Sequence, residues 1–269
     1  ILFLVTKEII FAGLTLVTMI SMLGSDVQQE VKKYGWKHEI IDTVISIIIV
    51  LVFWFGLQVL LNSSTPVSVI VTCSMLPELD RGDLVLVQGT SIETKEINMS
   101  KIEFENLNNY DVLVHYKDST FPVKGSIYSY CKFNSINQDP VCNDFIKEPE
   151  EFIEQKGDLK FHYSMCNINY LEEGVSVQEP CVTSMEYGDK EYEMNLTQDK
   201  IVYTPEEGTY FSYIGDIIHR AQLKINVDGE EYYLAKGDNN QLFDIQIYDY
   251  DYDLGNLPAK NLKGREIFK

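Results

Sequence analysis

The stretch TCSMLPELDRGDLVLV at residues 72–87 places Ser74 beside a methionine and ahead of a proline, a Gly-Asp turn and an alternating apolar strand. A serine hydroxyl attacks a carbonyl carbon only when a base removes its proton, and that base usually needs an orienting partner. The stretch contains no GxSxG elbow and no histidine. If Ser74 is a nucleophile, its base must come from a distant part of the chain.

Four histidines could supply that base: His38, His115, His162 and His219. His38 precedes a long apolar run and is expected on the other side of a membrane, while His162 lies in a segment of different character. His115 is close to the end of the alternating run DVLVHY, and His219 lies in GDIIHR. The residue pattern alone leaves these last two open, each as a base or as a structural histidine.

Short alternating runs rich in Val, Ile and Tyr predict the strands that position these residues. The runs are VSVIVT (67–72), DLVLVQG (83–89), DVLVHY (111–116), GDIIHRAQLKINV (215–227) and EYYLAK (231–236). Asp228-Gly229, ahead of the last run, is a strong hairpin signal. The pattern predicts a mostly β fold, with an antiparallel core divided between residues 62–119 and 206–269.

Residues 120–205 differ from this core, with many acids and few long strand patterns, and we interpret them as an insertion; a free-standing second domain is the alternative. An even cluster of cysteines in an extracellular segment predicts two disulfides, with three connectivities open. A zinc site is the competing interpretation, but no close CxxC pair occurs, and we expect neither a metal nor a cofactor. The clustered cysteines are Cys131, Cys142, Cys166 and Cys181.

Residues 44–61, VISIIIVLVFWFGLQVLL, contain no charged side chain. At about 1.5 Å per residue they nearly cross a hydrocarbon core of about 30 Å, which predicts a transmembrane helix. A shorter apolar run within residues 1–23 predicts a second, partial span. The loop 24–43 between them carries three lysines, and short basic loops stay cytoplasmic. Everything after Leu61 is therefore expected on the extracytoplasmic side of the cell membrane.

The formal net charge of -19 argues against a nucleic-acid partner, because nucleic-acid-binding surfaces concentrate Lys and Arg. The charge is uneven along the chain. Residues 1–61 hold four of the 22 basic and five of the 41 acidic residues, which leaves 18 basic and 36 acidic residues in the remainder. An apolar anchor followed by a solvated acidic ectodomain fits this distribution.

Three stretches resemble the sequence boxes of type I signal peptidases, a family of membrane-bound serine endopeptidases. SMLPELDRGDLVLV resembles the nucleophile box, GDIIHRAQL the box that supplies the base, and LAKGDNNQLFD the Lys-Gly-Asp-Asn-Asn-x-x-x-Asp box that completes the site. The boxes follow the family's order over residues 44–118 and 206–269, and the resemblance does not cover 120–205. A histidine in the second box marks the archaeal and endoplasmic-reticulum branch, where typical bacterial members have lysine.

The resemblance implies a role for each matching residue. Ser74 is similar to the nucleophile, His219 to the general base and Asp244 to the acid that orients the histidine. Asp238 would support the site. Lys236 matches the same box without a definite role.

The resemblance also bears on three further positions. Ser74 N–H and the hydroxyl of Thr72 would donate to the oxyanion. Cys73 departs from the glycine usual in relatives, and in an extended chain it points away from the face of Ser74, so we expect it to pack. His115 falls where relatives commonly carry an apolar or aromatic side chain, which favours His219 as the base.

The resemblance implies that the protein removes signal peptides from secretory preproteins, cutting after small residues. Only twelve residues separate Leu61 from Ser74, a span of at most about 43 Å, which fits a site near the outer bilayer surface. An apolar surface patch is expected near Met75 and Leu76. Its partners would be signal peptides and the lipid membrane, with docking to the translocation machinery left open. A related protease acting on other surface precursors and a non-catalytic membrane-anchored binding module are the alternatives.

Overall fold

The computed structural model describes residue 33 and residues 35–134, 139–170 and 175–268. Helix α1 (Trp36–Leu61) contains the predicted span and begins earlier, within the segment predicted as a loop. Among the described residues it is the one helix long and apolar enough, by length and composition, to cross a membrane as an anchor or to serve as a signal sequence. The second apolar run, within residues 1–23, lies outside the described residues.

From Leu61 onwards the chain forms a compact unit of its own, built on two mainly antiparallel sheets. Asp228 and Gly229 have φ angles of 51° and 90°, the left-handed pair that a two-residue hairpin turn needs, and they join two strands of the first sheet as predicted. The strands of this sheet are β1 (Val67–Val69), β2 (Leu84–Gln88), β3 (Lys95–Asn98), β10 (Lys200–Thr204), β11 (Ile217–Val227), β12 (Glu230–Lys236) and β15 (Asn261–Phe268). Their order is β1-β2-β15-β10-β11-β12, with β3 parallel to the second half of β11.

The second sheet has the order β5-β4-β6-β7-β8-β9. Its strands are β4 (Asp111–Tyr116), β5 (Ser119–Lys124), β6 (Phe152–Lys156), β7 (Leu159–Tyr170), β8 (Val175–Tyr187) and β9 (Lys190–Glu193). Long strands β7 and β8 occupy a region where few were expected, because Pro180 and runs of polar residues obscure the alternation. The sheet also starts before residue 120, while β10 pairs with β11 and β15 in the first sheet.

Short helices and turns connect these strands. Two disulfides, Cys131–Cys142 and Cys166–Cys181, use all four clustered cysteines and confirm the predicted pair of bridges. The remaining elements are α2 (Lys101–Leu107), α3 (Ile127–Asn134), α4 (Pro140–Lys147), β13 (Tyr248–Asp249) and β14 (Leu254–Gly255). The first bridge therefore links α3 to α4, and the second links β7 to β8.

The largest apolar core draws side chains from both sheets. Leu223 and Leu234 of the first sheet belong to the same buried cluster as Phe152 and Phe161 of the second, together with Phe243 from the loop that follows β12. Full burial of each such side chain contributes about 1.5–3 kcal/mol. Because the two sheets share this core, the inserted segment is packed onto the first sheet and is not a free-standing domain.

Candidate active site

Buried apolar side chains and main-chain hydrogen bonds anchor the segment that carries Ser74. After β1 the chain stays paired through Ile70, which donates to Asp83 O at 2.9 Å and accepts from Gly82 N at 2.8 Å, so residues 71–81 form a closed loop. Met75 is 0% exposed and packs in a cluster with Ile70, whereas Ser74 is half-buried. The half-buried Ser74 therefore belongs to a loop whose two ends are hydrogen-bonded to each other and whose next residue, Met75, is anchored in the core.

The side chains of Met75 and Leu76 are themselves buried and do not form the apolar surface patch expected near them. Exposed apolar side chains lie nearby instead, at Val69, Val71 and Ile214. Ser74, Met75 and Leu76 lie in a run of turns and not in a strand, so alternation along the chain does not determine which of them is buried.

His219 and Asp244 form a close buried pair. His219 Nδ1 lies 2.9 Å and 2.8 Å from the two carboxylate oxygens of Asp244, and both residues are almost fully buried. A carboxylate only accepts hydrogen bonds, so Nδ1 carries the hydrogen, and in the neutral ring Nε2 is the nitrogen with the free lone pair. The pair therefore has the geometry of a base oriented by an acid.

The aspartate of this pair is held in turn by other polar groups. The hydroxyl of Tyr203 on β10 donates to Asp244 Oδ2 at 2.6 Å, and Asn256 Nδ2 donates to Asp244 O at 3.2 Å. Burial, with Asp244 as its neighbour, raises the pKa of Tyr203 well above its ordinary value, so this hydroxyl remains a donor. Sequence reasoning missed Tyr203, which is 41 residues from Asp244 and is brought to it only by strand pairing.

Ser74 and His219 line the same pocket, together with Asn240. We call this hollow of about 180 Å³ the apolar pocket, since most of its remaining wall is apolar, including Val69, Val71 and Ile214. Asn240 Nδ2 lies 3.5 Å from His219 Nε2 and so marks the side of the ring that faces the pocket. A serine and a histidine therefore line one pocket, and the aspartate is hydrogen-bonded to the histidine.

Thr72 lies beside the serine, with its Oγ1 3.1 Å from Ser74 Oγ. Thr72 also lines the apolar pocket. From this position its hydroxyl can either orient Ser74 or, after rotation, donate to a negative oxygen formed at the same place. Cys73 is half-buried and, unlike Ser74 and His219, does not line the apolar pocket.

Asp238 ties together the segments that carry the site. It forms a two-point ion pair with Arg220, the neighbour of His219, at 2.8 Å and 2.6 Å. Arg220 also bonds Glu78, four residues after Ser74, at 2.5 Å. One guanidinium thus connects the serine loop, the histidine strand and the loop after β12.

Lys236 is buried and serves that same loop. Its Nζ donates to the main-chain oxygen of Asn240 at 2.5 Å. Burial lowers the pKa of Lys236 to about 8, although the charges of Asp238 and Asp244 act in the opposite direction. Its contacts are those of a residue that shapes the loop.

The loop after β12 approaches the serine closely. Asn239 N donates to Ser74 O at 2.8 Å, and a Cβ placed on Gly237 would lie 2.6 Å from the same oxygen. Only glycine permits this approach. The GDNN motif signalled the loop, but the roles of Asn239 and Asn240 emerge only from the geometry.

The remaining histidines have other partners. His115, the rival base, lies in the second sheet with its ring nitrogens 3.0 Å from Thr120 Oγ1 and 3.2 Å from Gln155 Oε1. His162 pairs with Glu186 on the same sheet at 3.5 Å. Within the described ranges, no group of three or more His, Cys, Asp or Glu side chains is placed to hold a metal ion.

Fold and site together define a mostly β chain in which a serine lines the same pocket as the histidine of a buried histidine–aspartate pair. Comparisons with protein-family models, curated proteins and solved structures returned no match to this chain.

Proposed function

We propose that this protein is a membrane-anchored serine endopeptidase of the signal-peptidase type, which removes signal peptides from secretory preproteins. The observation that carries the proposal is the shared pocket: Ser74 and His219 line it, and Asp244 orients the histidine. The order of the three resembling boxes along the chain agrees with this arrangement.

The arrangement supports acyl transfer through the serine. Nε2 of neutral His219 takes the proton of Ser74 as Oγ bonds to the peptide carbonyl carbon. Asp244 stabilises the imidazolium that forms. Collapse of the tetrahedral intermediate breaks the C–N bond, and His219 returns the proton to the departing amine.

A water molecule then completes the reaction. His219 removes one proton from the water as it attacks the acyl-serine ester, and it gives that proton back to Ser74 Oγ when the ester bond breaks. The oxyanion of both intermediates would receive hydrogen bonds from Ser74 N–H and from Thr72. Removing one such donor typically costs about 2.7–4 kcal/mol of transition-state stabilisation.

The apolar surroundings of Ser74 suit the proposed substrate. A pocket of about 180 Å³ accepts small side chains, and the exposed Val69, Val71 and Ile214 at its wall suit a substrate delivered from a membrane. Helix α1 would be the anchor, with the sheets on the outer side of the membrane as the lysines of the preceding loop predict.

The proposal is tested by incubating the purified full chain, in detergent or liposomes, with a secretory preprotein and, in separate reactions, with other surface precursors, and by mapping any cut by mass spectrometry. Release of the signal peptide by the wild type and by Cys73→Ala, with none by Ser74→Ala, is the expected result. Cleavage of surface precursors alone would assign a different substrate class. Intact preprotein and precursors in every reaction would leave a binding module as the better account.

A further inference from the structure

Ser74 borders a second hollow besides the apolar pocket. This hollow has a volume of about 800 Å³ and reaches from the serine to the β7–β8 hairpin of the inserted segment. We call it the polar cleft. Its wall includes Ser74, Asn239 and Gln241 on one side and Tyr170, Val177 and Glu179 on the other.

The hairpin is attached to the serine segment through one side chain. Asn239 accepts from Asn169 N at 2.8 Å and donates to Asn169 O at 2.9 Å and to Cys73 O at 3.1 Å. Its own N–H donates to Ser74 O. Strand β7 is therefore held at a fixed position relative to the nucleophile.

The far wall of the polar cleft is ordered by a second set of bonds. Val182 N of β8 donates to Gln241 O at 2.8 Å, and Gln241 Nε2 donates to Glu179 at 2.6 Å. Glu179 also accepts from Tyr170 at 2.6 Å and from Tyr128 at 2.9 Å. Burial opposes ionisation, but these donors keep the pKa of Glu179 below its ordinary value, so it remains an acceptor that fixes both tyrosines.

The edge of β7 at this wall is suited to an extended chain. From Tyr163 to Tyr170, β7 pairs with β8 alone among the described strands. Both main-chain groups of Asn169 are bonded to the Asn239 amide, so they point away from β8. That amide pairs with the strand as a neighbouring strand would, and such edges are a common template for peptide binding.

We propose that the polar cleft binds the substrate polypeptide on the leaving-group side of the scissile bond, in an extended conformation. A peptide whose scissile carbonyl lies at Ser74 must extend away from it in two directions, and two hollows meet at that serine. The inference rests on the proposed function, in which the small residues before the bond occupy the apolar pocket. The first residues of the mature protein then contact Tyr170 and Val177, which gives the inserted segment a role in substrate selection.

The test compares two substrates of the full chain that share the same acyl half. One continues for several residues beyond the scissile bond, and the other ends there in an aminocoumarin leaving group. Tyr170→Ala and Val177→Ala are assayed with Tyr252→Ala, which removes an exposed tyrosine that is not part of the cleft wall. All four proteins, including the wild type, are assayed for kcat/KM on both substrates.

For the two-sided peptide, Tyr170→Ala should lower kcat/KM by about five- to ten-fold, the loss expected for one good contact, and Val177→Ala by somewhat less. For the aminocoumarin substrate, kcat/KM of both cleft variants should stay within about two-fold of the wild-type value. For the Tyr252→Ala control, kcat/KM should stay within the same range on both substrates. Equal losses on both substrates, or none on the two-sided peptide, would overturn the inference while leaving the proposed function intact. A wild-type protein that cleaves neither substrate overturns the proposed function, and the inference falls with it.

Discussion

Two regions in the described part of the chain bury a carboxylate, a tyrosine and a lysine close together, and they differ in whether a histidine joins the carboxylate to a pocket. In the first, Asp244 accepts from Tyr203 and from His219. In the second, Glu154 of the second sheet is fully buried and accepts hydrogen bonds from Tyr163 at 2.7 Å and from Gln246 at 2.7 Å.

The regions differ in where the proton can go. Each partner of Glu154 is a fixed donor, the third being Ile127 N at 2.9 Å, and burial raises the pKa of the carboxyl. Beside Asp244, in contrast, an imidazole connects the carboxylate to a pocket that contains a hydroxyl. Burial and shifted pKa values therefore do not by themselves define a catalytic site, which also needs a base that reaches an accessible nucleophile.

The largest contrast is expected between two histidines. His219→Ala removes the only imidazole in the apolar pocket as described and should lower kcat/KM by roughly 10⁴-fold or more. His115→Ala, in the second sheet, should stay within about three-fold of the wild type in a peptide-cleavage assay. Loss of activity in His115→Ala but not in His219→Ala would identify His115 as the base.

The two carboxylates should separate activity from stability. Asp244→Asn removes the acceptor that fixes the histidine tautomer, and kcat should fall by roughly 10³- to 10⁴-fold. In Glu154→Gln the NH₂ group of the new amide faces partners that themselves donate hydrogen bonds. This mismatch should lower the free energy of unfolding by about 1–3 kcal/mol. Urea titrations and kinetics on both variants check this, and a Glu154→Gln protein that is stable but inactive would contradict it.

The two tyrosines offer a smaller contrast of the same kind. Tyr203→Phe deletes one hydrogen bond to Asp244 and should reduce kcat by about ten-fold, equivalent to about 1.4 kcal/mol. Tyr163→Phe deletes the corresponding bond to Glu154 and should change stability without a comparable change in kcat. Similar kcat values for the two variants would show that Tyr203 does not act through the site.

In one property the regions should behave alike. Burial lowers the pKa of both Lys156 and Lys236 to about 8, while Asn109 O and Asn240 O accept from them. Between pH 8 and about 10 the unfolded chain then binds more protons than the folded one, so these lysines make stability rise with pH there. Lys156→Met and Lys236→Met should each reduce that slope by on the order of 1 kcal/mol per pH unit in urea titrations. An unchanged slope would mean that the lysine is charged when folded.

Local patterns predicted the first sheet better than the second. Alternation identified β2, β11 and β12 of the first sheet to within one or two residues but only β4 of the second, and Asp228-Gly229 identified the β11–β12 turn. The assignment of strands to sheets depends on pairings between distant segments, which a single sequence does not encode visibly. That is why β4 and β10 lie on the other side of the predicted boundaries.

The candidate site divides in the same way. Ser74, His219 and Asp244 were proposed from motif resemblance; in the structure Ser74 and His219 line one pocket, and Asp244 is hydrogen-bonded to His219 behind it. Tyr203 and Asn239 had no assigned role, because their contacts join segments that are far apart along the chain. The β7–β8 hairpin was not linked to the site either, because it lines the polar cleft with residues that form no recognisable sequence motif.

The most direct measurement is covalent labelling with a peptidyl phosphonate that carries a small residue at the reacting end. The central claim is that the hydroxyl of Ser74 is a nucleophile activated by His219 and Asp244. Peptide mapping by mass spectrometry should locate the adduct on Ser74 in the wild-type protein and find none in His219→Ala. An adduct on Cys73, or equal labelling with and without the histidine, would contradict that claim.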